Sequence, residues 1–176
     1  MTKWMAGAGL AMLFGGAALA QPADVLQYAP DGRMLPPKDY RSWVYLSTGF
    51  DMAYTENANQ VHVFDNVFVN REAYEGFLKT RLWPDKTVLV LEQRGAGGDD
   101  PVNKHGLFQS GEPTHAEVHV KDAARGGWAF YPVNKDGTPA AMIPKTAACY
   151  SCHEQHGQTD TGFTQFYPTL AAKPAK

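Results

Sequence analysis

Cys149-Tyr150-Ser151-Cys152-His153 constrains this chain more than any other stretch of it. These are the only two cysteines in 176 residues, and a histidine directly follows the second. C-x-x-C-H is the attachment signature of a c-type haem. Each thiol adds across a haem vinyl group to form a thioether. Two intervening residues let both sulfurs reach the two vinyls on one porphyrin edge, and the next imidazole then lies beneath the iron as its proximal ligand. The expected cofactor is one haem c per chain, attached through Cys149 and Cys152, with His153 on the metal. A chain so marked has to fold around a porphyrin.

Three other uses of these residues are weaker. A thioredoxin-like redox pair needs its C-x-x-C near a βαβ pattern, and nothing upstream of Cys149 reads that way. A zinc site drawn from Cys149, Cys152, His153 and His156 would strain a tetrahedral shell at the adjacent Cys152 and His153, and lacks the usual spacing between ligand pairs. A disulfide across two residues would close a tight, strained ring.

The N-terminus points the same way. Residues 1–20 carry one positive charge, Lys3, then an apolar run from Ala6 to Phe14, and end in Ala18-Leu19-Ala20, an A-x-A cleavage pattern. The run is too short and glycine-rich for a membrane span. The expected organisation is a signal peptide over 1–20 and a single haem domain over 21–176, periplasmic and free of the membrane after cleavage. An uncleaved anchor is the alternative. The mature length suits one core. The formal net charge of −2 is not patterned into runs, so no nucleic-acid footprint is indicated.

Periodicity gives the fold class. Trp43–Thr48 and Val61–Val69 read as strands, the second rich in β-branched and aromatic residues. Asn70 offers an N-cap for a helix over Arg71–Arg81, with Tyr74, Phe77, Leu78 and Leu82 on one face, stopped at Trp83-Pro84. Thr87–Glu92 is almost continuously apolar, as in a strand buried on both faces. A glycine-rich loop from Gly95 to Gly106 leads to half-buried strands at Ala116–Lys121 and Trp128–Pro132, and Asp136-Gly137 marks a turn. The haem motif falls on a helix from a Thr146 N-cap to Gly157, and residues 21–40 read as an aperiodic surface lead-in. The sum is a mainly β (α+β) domain: an antiparallel sheet, one internal helix and a C-terminal haem-bearing helix. Most small c-type cytochromes are all-helical, so this order points elsewhere.

With these segments in order, the chain resembles the cytochrome P460 and cytochrome c′-beta family. The likeness runs through Asp39–Val44, Val69–Tyr74, Trp83–Val88, Gly126–Tyr131, the C-x-x-C-H motif and Thr161–Pro168. It implies one fold with two functional branches, both typically dimeric. The P460 branch oxidises hydroxylamine on a haem that carries a covalent lysine cross-link to a meso carbon. The c′-beta branch has a five-coordinate haem without that bond and an apolar distal face that binds nitric oxide and carbon monoxide. Aligned on the family strand, Leu91 stands where the cross-linking lysine would be. Lys86 is an odd number of residues away and points to the opposite face, and Lys79 belongs to the preceding helix.

The chain therefore reads closer to the c′-beta branch: a binding or scavenging haem protein for nitric oxide, with no residue assigned a catalytic role. Leu91 is the main distal candidate. Phe64 follows it, because an aromatic cap is what the c′-beta resemblance implies, with Phe50 and Phe68 as weaker versions. Glu117 matches an acidic residue near the P460-branch site. Two alternatives stay open: hydroxylamine oxidation, and a six-coordinate electron carrier using His62 or one of Met34, Met52 and Met142. Arg41 and Arg125 are candidate partners for haem propionates.

Overall fold

The strand-forming segments in the middle of the chain fold as an antiparallel meander. The computed structural model describes residues 25–53 and 62–171; the signal-peptide reading over 1–20 lies outside the described residues. Two short strands, β1 (Gln27–Tyr28) and β2 (Met34–Leu35), pair with each other. The main sheet has five strands in sequential order: β3 (Val44–Phe50), β4 (Val63–Val69), β5 (Val88–Gly97), β6 (Phe108–Asp122) and β7 (Gly127–Pro132). Helix α1 (Arg71–Thr80) joins β4 to β5, and α2 (Ala148–His156) carries the haem motif. The mainly β α+β architecture is as the periodicity predicts.

Each sheet face has its own cover. Val88 and Val90 of β5 and Val118 and Val120 of β6 point to one side, where Leu26, Met34 and Tyr40 close over them. The stretch read as a surface lead-in thus contributes to the core at Leu26, Met34 and Tyr40: Met34 is only 1% exposed, and its backbone bridges to Ala140. A short aperiodic run hides this because apolar residues separated by turns show no regular spacing. Glu92 is also on this face, 2% exposed, and accepts hydrogen bonds from Tyr40, Arg41 and Arg94. Burial pushes its carboxyl up, but those donors outweigh it and hold it below the ordinary range.

On the other face, Val67, Val69 and Leu89 pack with Ala73 and Phe77 of α1, Trp83 and Leu170. A register shift between Tyr45 and Ser47 leaves Leu46 extra, so Leu46 joins this cluster while Ser47 and Gly49, set opposite Val67 and Asp65, also turn to this side. α1 is shorter than its periodicity predicts. Arg81 takes a left-handed conformation (φ 63°), its N–H donates to the Phe77 carbonyl, and Leu82 is left exposed. Asn70 stands at the N-cap position without capping through its side chain; its Oδ1 instead accepts from Val88 N at 2.9 Å, tying the helix start to β5.

Met34→Ala tests the buried lead-in. Truncating a core methionine costs about 2–5 kcal/mol, and a surface position would cost no more than about 0.5 kcal/mol; the shift in denaturation midpoint decides between them.

Candidate functional site

Tyr150 seats α2 on the sheet. Its hydroxyl accepts from Phe130 N at 3.1 Å and donates to the Ile143 carbonyl at 2.9 Å, and its ring meets Phe130 edge-on with centroids 4.9 Å apart. The helix begins one residue later than the Thr146 cap predicts: Ala147 holds the N-cap position, so no side chain caps it. With this seating Cys149, Cys152 and His153 all line one cavity, and both thiols are free.

His153 stands in an aromatic box. Its ring centroid is 4.6 Å from Phe130, 4.2 Å from Phe163 and 5.1 Å from His119. Its Nδ1 is 2.7 Å from the Thr161 carbonyl. A carbonyl can only accept, so Nδ1 carries the proton and Nε2 keeps its lone pair, the tautomer a metal-ligating histidine needs. Burial holds the imidazole below its ordinary value, which keeps it neutral for that role. The returning loop can bring Thr161 this close because residue 157 is glycine: a Cβ there would sit 2.6 Å from the His153 carbonyl and 2.8 Å from the Thr161 backbone.

The cavity, about 630 Å³, lies between α2, the 163–167 segment and the open part of the sheet. That volume falls within the roughly 300–1,000 Å³ of small-molecule and cofactor sites. Leu91 lines it, next to Leu89 and across the sheet from Val67 and Glu117. Phe64 does not. It lies on the opposite face of β4, its ring centroid 4.9 Å from that of Phe50, because Asp65 and Val67 are the residues whose parity faces the cavity. Phe50 and Phe68 are outside as well; the aromatic rings along the wall are Phe130, Phe163, Phe166 and Tyr167.

The other candidates separate cleanly. His62 is exposed, stacks on Phe50 and pairs with Asp51 at 2.6 Å. Met34 is in the core behind the sheet and Met142 is exposed, whereas Met52 lines the cavity, its sulfur seated over Gly49. Arg41 pairs with Glu92, and Arg125 lies over the Tyr28 ring and 4.0 Å from Asp122; neither borders the cavity. Among the described residues no lysine lines the cavity: Lys86 pairs with Asp122 on the far side of the sheet, and Lys79 is on α1.

One end of the cavity is polar. Asp65, Gln93, His115 and Glu117 gather there, with Gln93 Nε2 donating to Asp65 at 3.1 Å and His115 Nε2 2.9 Å from Glu117. The hydrogen bond to Glu117 raises the His115 pKa against a lowering by burial. The same bond lowers Glu117, and burial raises Asp65. The sequence offers Glu117 as a site neighbour and His115 and His119 only among all the histidines that could be a second axial ligand; Phe130, Thr161 and Phe163 lie in family-like segments but are given no role there. Only the alternation of β6 and β7 hinted that His119 and Phe130 share a face.

The donor set fits a c-type haem. Two free thiols, a neutral histidine with its Nδ1 proton engaged, and a largely apolar cavity meet in one place. The zinc alternative does not assemble: among the described residues no three histidine, cysteine, aspartate or glutamate side chains group to hold a metal ion. The fold and site are those of a c-type haem domain built on a β-sheet rather than on a helical bundle. The family model for cytochrome P460 matches residues 37–164, from the end of the lead-in through the loop after α2. The chain belongs to the cytochrome P460 family. No curated protein matches it.

His115 should titrate above the ordinary histidine value, and Glu117→Gln should bring it back down, both read by NMR titration of the ring protons. By linkage, the stabilisation from His115 is complete below its unfolded pKa and is lost as pH rises through the folded one. That from Glu117 is present above its unfolded pKa and is lost as pH falls through the folded one.

Proposed function

We propose that this chain is a periplasmic monohaem cytochrome whose five-coordinate haem, attached through Cys149 and Cys152 and ligated by His153, binds nitric oxide and other small diatomic gases. The observation that carries the reading is the apolar stretch Val67, Leu89 and Leu91 of the cavity wall, with no lysine lining the cavity among the described residues. A ferrous haem held there offers one open coordination position to a neutral diatomic. Val67, Leu89 and Leu91 make that side unfavourable for water and anions, which would give up hydrogen bonds on entering. Oxygen gains little beside such a wall, because its bound form needs a donor hydrogen bond. Export fits the N-terminal pattern of residues 1–20, and among the described residues no helix is long and apolar enough to cross a membrane. A homodimer is the assembly proposed from the family resemblance.

One observation favours a second reading, hydroxylamine oxidation. Glu117 lines the same cavity and pairs directly across the sheet with Leu91, so a carboxylate able to take a proton is at hand. Met52 keeps a six-coordinate electron carrier in view, as a thioether at the cavity edge.

The optical spectrum of the ferrous holoprotein separates the three. The expected result is a high-spin spectrum without the red-shifted band of cross-linked haem, shifting on addition of nitric oxide. A red-shifted band, with hydroxylamine turnover, would replace the gas-binding reading by the enzymatic one; a low-spin resting spectrum would point to Met52. The attachment has its own check: in Cys149→Ser/Cys152→Ser, the intact-protein mass should lose the haem increment entirely.

A further inference from the structure

His119 is a buried polar ring packed against aromatic side chains of the sheet. It is 7% exposed, stacked on Phe130 with centroids 4.0 Å apart and planes within 13°, and 4.4 Å from the ring of Trp128. Burying an imidazole there costs free energy unless its nitrogens are bonded. Its Nε2 shares a hydrogen bond with the Thr161 hydroxyl at 3.1 Å. Thr161 is also the residue whose carbonyl meets His153 Nδ1 at 2.7 Å. One residue thus joins a buried strand histidine to the proximal histidine, through its side chain on one side and its backbone on the other.

The loop around Thr161 is held from the same strand. Lys121, two residues beyond His119 and on the same face, donates to Asp160 at 3.0 Å and to the Trp83 carbonyl at 2.7 Å. Asp160 itself is left-handed (φ 53°), and a backbone bridge closes Thr159 on Gly162. A Cβ at residue 162 would sit 2.8 Å from the Trp83 indole nitrogen, so the loop lies flat on Trp83. These contacts fix where the loop is. The bond to His119 fixes how the Thr161 peptide is turned.

We propose that His119 is a positioning residue for the proximal ligand, holding Thr161 from β6 so that its carbonyl keeps the hydrogen bond to His153 Nδ1. The inference rests on His153 being the iron ligand and is independent of which gas or substrate the distal side takes. Such a bond raises the basicity of the ligating nitrogen and favours the oxidised metal. Loosening it weakens the iron–imidazole bond and makes the ferric state harder to reach.

The test is resonance Raman of the ferrous holoprotein together with its reduction potential. His119→Phe keeps a ring on Phe130 and removes the hydrogen bond, whereas His119→Gln sets an amide near the place of Nε2. Thr161→Val and Thr161→Ser make the same comparison from the other partner. The expected result is a lower iron–imidazole stretching frequency and a higher potential in H119F and T161V, with H119Q and T161S close to the parent. If H119F fails to retain haem, the Thr161 pair gives the same reading. Unchanged frequency and potential in H119F and T161V would overturn the proposal. So would equal shifts in H119F and H119Q, or in T161V and T161S, because packing would then be the cause. A parent protein without an iron–imidazole mode would overturn the ligand reading and this inference together.

Discussion

The hydrogen bond from His153 Nδ1 to the Thr161 carbonyl is the contact on which the rest of the site depends. It sets the tautomer of the motif histidine and leaves the lone pair on its other nitrogen free to ligate. It spans eight residues, so the chain has to double back after α2 with little room to spare. Gly157 makes that return possible, since any side chain there would collide with the carbonyl of His153 and the backbone of Thr161. Tyr150 fixes the helix from the other side by bonding Phe130 N and the Ile143 carbonyl. The motif therefore does not act alone: a helix, a return loop and two strands hold one imidazole.

The sheet supports this because its two faces do different jobs. The face with Val88, Val90, Val118 and Val120 is sealed by Leu26, Met34 and Tyr40, and its two buried carboxylates are matched, Glu92 by Arg41, Arg94 and Tyr40 and Asp122 by Lys86 and Tyr28. A buried ion with all its partners is tolerable where a lone one is not. The opposite face is closed by α1 and Leu170 at one end and left open at the other. The irregularity at Leu46 sharpens that division by sending Leu46 into the closed cluster and Ser47 to the cavity edge. An antiparallel sheet with one covered face and one partly free face is a natural wall for a flat prosthetic group.

Polarity is graded along that wall. Leu89, Leu91 and Val67 make one stretch apolar, while Asp65, Gln93, His115 and Glu117 place hydrogen-bonding groups at one end. Distal polarity and access are the levers by which a haem protein chooses between binding a gas and transforming a substrate. Here both levers are present, and the pairing of Leu91 with Glu117 puts them side by side on neighbouring strands.

Local chemistry made much of this legible. Cys149, Cys152 and His153 are legible as a haem-attachment signature because that signature has a fixed spacing, and the β-branched, apolar and alternating segments from β4 to β7 are legible as strands, with β6 and β7 alternating because side chains on a strand repeat every two residues. Leu91 also lies on the cavity side. Parity within a strand does not say which face is covered, however, so Phe64 and His62 are set on the side away from the cavity, and Arg41 and Arg125 serve the back of the molecule. The burial of Met34 and the convergence of His119, Phe130, Thr161 and Phe163 on His153 come from residues far apart in the chain. The sequence by itself determined the cofactor chemistry and the class of fold, which depend on short-range spacing. Only the tertiary structure decided which face holds the candidate site and what orients the motif histidine, because those depend on how distant strands and loops pack.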